Sequence, residues 1–514
     1  MNLVRKTQVS RSRIIWIVVV TFLYTVLASA QSDPLRGFDA YVAQAVKDWN
    51  VPGMAIAVVH NGKVVFSKGY GVRRVTADDA VDTHTLFANA STTKAFTAMA
   101  IAMLVDEGKV KLDEPVVTYV PSFKVKDPYV TAQITVRDLL THRTGVMPIN
   151  AWSFGVSEKD YLHNMRYAPQ RTSLRSATEY NNDMYVVAGE LIESVSGMPW
   201  HSFVSERILK PLGMTETRMY HTALMNGGNA VHPHADVDGT IKEIEFSKVV
   251  DDADAAGSMV SNVSDMSKWI AFLLDSARVE GKRLVSAEMF SEILTPQTIF
   301  RPSLYPAAEQ ANYHFFAYGF GWFLQDYKGY KLAMHTGSLP GFCAIVGLLP
   351  EKNVGLVVFE NVDHAELRHA LMYSVFDRYL GDTKKDWSAD LLKLFDGFKV
   401  QAKEAKEKRE AQRVSGTHPT LDLKAYAGTY KNEFYGDILI DMSDGHLVLR
   451  FPGDKTATFD LSHWHYDVFK ATGRSVVHPE VMIQFEISPR GGVSEMRVGA
   501  FGEWGDVIEA RKVE

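Results

Sequence analysis

The sequence predicts a mixed α/β protein of the α+β kind. An antiparallel sheet flanked by helices carries an all-helical subdomain between its two ends, and a small antiparallel β-barrel or sandwich follows. Three observations predict this. Hairpin patterns bracket roughly the first four hundred residues, helical periodicity dominates the stretch between them, and short alternating strands run from Gly416 to the end.

The first hairpin is "GMAIAVVHNGKVVFSKGYG", two β-branched runs joined by Asn61-Gly62, a dipeptide suited to a tight turn with positive φ at both positions. The second pattern, "YKLAMHTGSLPGFCAIVGLLPEKNVGLVVFENV", reads as three strands separated by Gly-Ser-Leu-Pro-Gly and Pro-Glu-Lys-Asn. Between them lie helices such as Asp183 to Gly197 and the run around Trp269 to Leu274. A pocket is expected where the sheet edge meets this helical part. From Lys384 the chain turns charged and helix-forming through "QAKEAKEKREAQR", which predicts a solvated connecting helix over 384–415. The β pattern of 416–514 then alternates apolar and polar residues between glycine turns.

Residues 1–30 read as a secretory signal: Arg5, Lys6, Arg11 and Arg13 precede the apolar run Ile14 to Ala28, and "ASA" ends it. A retained membrane anchor is the rival reading. Cleavage leaves 31–383 as the first domain and 51 basic against 61 acidic residues, a net charge of −10 that disfavours nucleic acid as a partner. Cys343 is the only cysteine, so an exported chain has no internal disulfide and its stability rests on packing. Within "GFCAIVGLL" it reads as a buried strand residue.

The chemistry starts at "FANASTTKAF". Ser91 and Lys94 form the only Ser-x-x-Lys in the chain, and Phe96, Ala100 and Met103 continue it at helical spacing. Residues three apart on a helix are neighbours, so the Lys94 ammonium can reach the Ser91 hydroxyl. One reading is a helix-capping serine with a solvated lysine behind it. The other is a nucleophile with its base, which requires desolvation to lower the lysine pKa far enough for some neutral amine to exist near pH 7. The helix start also offers backbone N–H groups to a developing oxyanion.

Two further pieces follow. Tyr180-Asn181-Asn182 sits on a loop entering a helix, where Asn182 or Asp183 would serve as a simple cap; Tyr430-Lys431-Asn432 has the same spacing in the β domain. His335-Thr336-Gly337, with Ser338 next, ends a predicted strand, and its glycine leaves room for a ligand at the strand edge.

Taken in order, Ser-x-x-Lys opening a helix, Tyr-x-Asn on a loop and x-Thr-Gly on a late strand resemble the penicillin-recognising serine hydrolases. The similarity is to the branch of class C β-lactamases, DD-peptidases, D-aminopeptidases and related esterases. The stretches "LDEPVVTYVP", "ITVRDLLTHRTGV", "KPLGMTET" and "AAGSMVSNVSDMSKWI" support it, and it spans roughly Asp33 to Leu380. The resemblance implies a β-lactamase-like fold in which Ser91 is acylated and Lys94 and Tyr180 share proton transfer, either being the base. Asn182 would orient the substrate amide or the lysine, and the N–H groups of Ser91 and Ser338 would form the oxyanion hole beside His335, Thr336 and Gly337. The β domain resembles the lipocalin-like modules attached to some of these hydrolases.

Where β-lactamases of this branch usually carry lysine, this strand has His335, largely neutral near pH 7, as in D-aminopeptidase, amidase and esterase members. The expected activity is therefore hydrolysis of amides or esters by an exported enzyme. D-amino-acid or cell-wall-type peptides lead, small esters come next, and β-lactams third. A penicillin-binding-like protein that recognises peptide without turnover is the rival. No cofactor is expected: Gly-x-Gly-x-x-Gly and Gly-x-Ser-x-Gly are absent, and neither "HPHADVD" nor "HWH" has zinc-type spacing, so no metal is called. The substrate would be chosen by the loops Asn150 to Tyr167 and Phe300 to Tyr318.

Overall fold

The computed structural model describes residues 33–246, 251, 253–300, 305–363, 366–478, 480–499 and 507–513. The segment read above as a signal or an anchor, and part of the Phe300 to Tyr318 loop, lie outside the described residues.

Helix α1 (Phe38–Asp48) leads into β1 (Gly53–His60) and β2 (Lys63–Gly71). Their turn holds Asn61 and Gly62 at φ 52° and 71°, the left-handed values a two-residue hairpin turn needs. The helical part follows, with α2 (Lys94–Asp106), α3 (Asn182–Ser196) and α4 (Val263–Leu274) as its long elements. The chain then returns to the sheet through β3 (Thr298–Ile299), β4 (Phe316–Tyr318), β5 (Phe323–Tyr327), β6 (Tyr330–Leu339), β7 (Phe342–Leu349) and β8 (Val354–Glu360).

These strands form one eight-stranded sheet in the order β2-β1-β8-β7-β6-β5-β4-β3. Met54 lies opposite Glu360 and His60 opposite Val354, so both ends of the region meet antiparallel at the sheet. Because side chains alternate across a strand, β1 sends Ala55, Ala57 and Val59 into the core under α2 and α4. Met54, Ile56 and Val58 enter a second core, shared with α1 and with α5 (Leu367–Leu380). Both faces are covered, which is why β1 reads as an unbroken apolar run rather than an alternating one.

One turn differs from its expectation. Gly337 and Ser338 are not in a loop: β6 continues through them to Leu339, which pairs with Phe342. The reversal is made by Pro340 and Gly341 alone, Gly341 taking φ 79°.

Helix α6 (Trp387–Ala411) is anchored at its start, where the Trp387 indole donates to Asp377 at 2.8 Å and stacks on Tyr373. The rest is largely exposed and runs to the β domain, where Arg413 donates to the Trp464 carbonyl at 2.8 Å.

Eight strands close into a barrel: β9 (Gly428–Asn432), β10 (Gly436–Ser443), β11 (His446–Arg450), β12 (Thr458–His465), β13 (Val468–Gly473), β14 (Val481–Ile487), β15 (Val493–Val498) and β16 (Ile508–Lys512). Closure comes from β16 pairing back onto β9, Tyr430 opposite Lys512. Tyr430, Ile438, Leu449, Phe459 and Ile483 belong to the cluster that packs the barrel. The second Tyr-x-Asn is therefore structural: Tyr430 is buried and its hydroxyl donates to the Tyr426 carbonyl at 2.8 Å.

The barrel docks on the segment 149–164 of the first domain. Phe154 packs against Phe451 and Tyr435, with ring centroids 4.4 and 5.2 Å away. In return the Tyr435 hydroxyl donates to the Ile149 carbonyl at 3.0 Å, and Asn164 donates to the Phe434 carbonyl at 3.1 Å. Gly155 and Gly453 meet backbone to backbone, and a Cβ on Gly453 would lie 2.2 Å from the Gly155 carbonyl oxygen. Between the domains lies a cleft of about 810 Å³ whose walls include Asn150 and Pro340 on one side and Glu433, Tyr435, His478 and Arg511 on the other.

Candidate active site

Ser91 sits in the 3-10 turn Ala90–Thr93, which runs directly into α2. The short strand Phe87–Ala88 pairs with Val260–Ser261 and aims the chain into this turn. Ala90, just before Ser91, takes φ 47°, an uncommon left-handed conformation for a residue with a side chain. Strain of that kind is retained only where its surroundings over-determine it. Neither this turn nor α2 has a side-chain capping bond, so Ser91 does not act as the helix cap that its position allowed.

Instead the Ser91 hydroxyl faces Lys94, whose Nζ lies 3.0 Å from Ser91 Oγ. The same nitrogen donates to Asn182 Oδ1 at 2.8 Å and to the Ala256 carbonyl at 2.8 Å. Lys94 is fully buried. Burial pushes its pKa well below the ordinary 10.5, with the Asp183 carboxylate pulling the other way.

Asn182 is free for this contact because its neighbour does the capping. Asn181 Oδ1 accepts from the Met184 N–H, while Asn182, the first residue of α3, turns its amide toward Lys94 and donates through Nδ2 to Asn150 Oδ1 at 3.0 Å. Buried Asp183 supports Asn150 from below by accepting from the main-chain N–H of Ile149 at 2.6 Å and of Asn150 at 3.2 Å, and from the Tyr161 hydroxyl. The stretch Asn150 to Tyr167 is built of short helical turns, Ala151–Phe154, Glu158–Asn164 and Met165–Tyr167, rather than an open loop.

Tyr180 completes the cluster. Its ring is half-buried, with Lys94 Nζ 5.1 Å from the ring centroid. Burial holds the phenol pKa well above 10.0, neighbouring Tyr305 adds to this, and the Ser91 side chain partly offsets it.

Strand β6 passes along the other side of the Ser91 turn. Gly337 has no Cβ because the Asn89 carbonyl oxygen occupies that place, 2.2 Å from where the carbon would be. The place a side chain would take is filled by the backbone leading into Ser91. Exposed Ser338 follows, and buried Arg368 fixes this strand end: it donates to the Gly337 carbonyl, to Ser338 Oγ at 2.9 Å and to the Ala344 carbonyl at 3.2 Å. Thr336 turns to the opposite face and meets the Tyr305 hydroxyl at 2.9 Å.

His335 points into the wall behind Tyr180 rather than to an open surface, and is only 1% exposed. Its Nδ1–H donates to the Thr336 carbonyl at 2.6 Å and its Nε2 accepts from the Tyr318 hydroxyl at 2.8 Å, so both nitrogens of the neutral ring are occupied. Burial, with a contribution from Lys94, lowers its pKa to about 3. His142, which sequence reasoning did not single out, lies in the same wall, fully buried and with its pKa well below 6.5 for the same two reasons.

A stability prediction follows from these two histidines. Each has a folded-state pKa below its unfolded value, so as pH falls below 6.5 the unfolded chain binds protons that the native state refuses. Stability from this source is complete above that pH and is lost as pH falls, for His335 toward about pH 3, at up to about 1.4 kcal/mol per pH unit per histidine. Urea unfolding between pH 7 and about pH 4 should show this slope, and His335→Gln should make it shallower.

Other candidates are absorbed elsewhere. His234 accepts from the Val75 N–H at 3.2 Å, His463 Nε2 donates to the Tyr466 carbonyl at 2.9 Å, and among the described residues no group of three or more His, Cys, Asp or Glu could hold a metal. Cys343 is buried on β7, and burial pushes its thiol up to about 12.

The sequence from residue 38 to 377 matches the family described as Beta-lactamase. The chain belongs to that family. A second match, over residues 412–505, is to a domain of unknown function, DUF3471, and covers most of the barrel. Among curated relatives, an unguisins hydrolase, ungD, from Aspergillus violaceofuscus is 29% identical, over 91% of this chain and 88% of its own length. Among solved structures, the octameric penicillin-binding protein homologue from Pyrococcus abyssi superposes with a TM-score of 0.59 at 21% identity, covering 93% of this chain and 100% of that one. SurE has a TM-score of 0.56 at 20% identity, covering 94% of this chain and 100% of that one, and a second SurE structure with D-Leu has a TM-score of 0.53 at 19% identity, covering 92% and 98%. These structures share the fold of this chain.

Proposed function

We propose that this member of the Beta-lactamase family is an exported serine hydrolase that forms an acyl-enzyme on Ser91 and cleaves amide or ester bonds, with peptides containing D-amino acids as its leading substrates. The observation that carries this reading is the buried Lys94 amine, 3.0 Å from Ser91 Oγ and bonded to two acceptors, Asn182 Oδ1 and the Ala256 carbonyl. A neutral amine held by two such acceptors spends both N–H groups on them and turns its lone pair to the serine. Tyr180, with its phenol pKa raised, keeps its proton, so Lys94 is assigned as the base and Tyr180 as the donor.

The reaction then runs as follows. Ser91 Oγ attacks the scissile carbonyl carbon while Lys94 Nζ takes the hydroxyl proton. The carbonyl oxygen becomes an oxyanion facing the main-chain N–H groups of Ser91 and Ser338. As the intermediate collapses, the bond to the leaving amine or alkoxide breaks, and the proton on Lys94 reaches that group through the Tyr180 hydroxyl. Water attacks the resulting ester, its proton returns by the same route, and Ser91 departs reprotonated.

Substrate class is argued from two features. His335 is neutral and sealed in the wall, so β6 lacks the fixed charge with which a lysine there would hold a β-lactam carboxylate. The interdomain cleft of about 810 Å³ is lined not by Ser91 or Lys94 but by Asn150, the hydrogen-bond partner of Asn182, so it offers room for the distal part of a peptide substrate. The D-Leu of the SurE structure and the hydrolase name of the fungal relative support the same direction.

The test is intact-mass spectrometry of the mature protein with a fluorophosphonate and, separately, with penicillin, beside a Ser91→Ala control. A set of D-aminoacyl anilides, nitrophenyl esters and a chromogenic cephalosporin completes it. A covalent adduct absent from the control, with fastest turnover on the D-aminoacyl anilides, is expected. Fastest turnover of the cephalosporin would make it a β-lactamase, and no adduct with any acylating agent would make it a recognition protein. The same spectra give the mature N-terminus, expected to begin at Gln31.

A further inference from the structure

We infer that His142 is the positioning residue for Tyr180, holding the phenol against Ser91 by clamping the chain on both sides of it. The inference rests on the role proposed for Tyr180 above.

His142 touches that segment in three ways. Its main-chain carbonyl accepts from the Glu179 N–H at 2.8 Å, and its ring Nδ1 accepts from the Asn181 N–H at 3.2 Å. Between these two bonds its ring lies on the Tyr180 ring, with centroids 4.3 Å apart at a tilt of 39°. Tyr318 and Tyr185 close the other sides, at 4.6 and 5.3 Å. Residue 179 is thus tied to the His142 backbone and residue 181 to its ring, and the tyrosine between them is held from both sides.

The cost of this arrangement argues that it does more than fill space. His142 is held at φ 55°, unusual for a residue with a side chain. Because Nδ1 accepts, the ring proton is on Nε2, and Nε2 is buried with no hydrogen-bond partner. A leucine would avoid the orphaned N–H but would leave the buried Asn181 N–H without an acceptor and give Tyr180 no flat face to lie on. The charged and titratable groups that face the imidazole are Lys94, His335, Tyr180, Tyr185 and Tyr318. Burial is the main cause that disfavours protonation, with Lys94 and His335 acting in the same direction, so the clamp stays neutral through the working pH range.

The experiment separates the two halves of the clamp. His142→Asn keeps an acceptor near the Nδ1 position and loses the face; His142→Phe keeps the face and loses the acceptor; His142→Leu loses both. Each is made in the wild-type and the Tyr180→Phe background, with circular dichroism to establish folding and kcat, KM and the fluorophosphonate labelling rate as readouts. Displacing a reacting group by about 1 Å costs on the order of 10²-fold, so His142→Leu should lower kcat by about that factor with KM little changed. Asn and Phe should each recover part of it. In the Tyr180→Phe background the same changes should cost less than about threefold, since there is no phenol left to place. If His142→Leu does not fold, the Asn and Phe variants carry the comparison alone. An equal loss in both backgrounds, or wild-type kcat in all three single variants, overturns the inference while leaving Ser91 and Lys94 in place. Failure of the wild-type protein itself to form any adduct removes the reading on which it rests.

Discussion

Ser91→Ala and Lys94→Arg are each expected to lower kcat/KM by about 10⁴-fold or more, because in the proposed mechanism nucleophile and base act as one unit and removing either removes both. The two substitutions fail for different reasons, which makes the pair informative. Alanine deletes the acylated atom, so no mass adduct forms at any pH. Arginine keeps a cation in reach of Ser91, but a guanidinium does not deprotonate in the accessible range and cannot take the serine proton. If Lys94 served only as a fixed positive charge, Lys94→Arg would retain much of the activity. The pH profile gives the second check. In the proposed mechanism the base is the neutral amine, and burial has already moved its pKa well below 10.5. Activity should therefore fall tenfold per unit as pH drops through that lowered value, and be nearly flat from there toward 10.5.

The contacts that the sequence revealed are those whose geometry is local. Ser91 and Lys94 are three apart on a helical turn, and their 3.0 Å approach is a property of the backbone that spacing alone conveys. The Asn61-Gly62 hairpin was legible for the same reason, since positive φ at two successive positions demands those residues. Barrel and sandwich were not separable, because both alternate with period two; what distinguishes them is the pairing of β16 with β9, between residues some eighty apart.

The residues that hold the site in place were invisible for a related reason. Ala256 contributes a carbonyl, which any residue could supply, and Asn150 and Arg368 reach their partners across 32 and 30 positions with no periodicity to mark them. His142 did fall inside a stretch whose likeness to the family was recognised, yet a histidine after an apolar run carries no signal of its own. It stands among Thr141, Arg143 and Thr144, all polar, so nothing in the pattern sets it apart. For His335 the sequence conveyed a neutral ring but not what surrounds it. Strand alternation puts it on the same face as Gly337, but on that face it meets Tyr318, Phe323 and Tyr180 before it meets solvent.

Gly337→Ala should damage both activity and stability, lowering kcat by about 10²-fold and destabilising the fold by about 1–3 kcal/mol. The new Cβ would lie 2.2 Å from the Asn89 carbonyl oxygen and 3.0 Å from the Ala90 Cβ, so one of two backbones must move. The strand resists: Gly337 pairs with Ala344 across β7, and Arg368 grips its carbonyl and the next side chain. The turn resists less. Its hold on the strand Val260–Ser261 is two residues long, and Ala90 is already at φ 47°. Displacement therefore falls on Ala90 and Ser91, moving the nucleophile relative to both Lys94 and the Ser338 N–H. The contrasting substitution is Gly397→Ala in the exposed part of α6, where the added carbon meets nothing within 4 Å and φ is ordinary. There the methyl group restricts the unfolded chain and favours the helix, for a gain of about 0.5–1 kcal/mol with activity unchanged. Thermal unfolding and acylation rates measured on the two variants side by side should move in opposite directions for the first and only downward, at residue 337, for the second. Equal acylation rates in both would mean that the close packing of β6 on the Asn89 carbonyl does not set the position of Ser91.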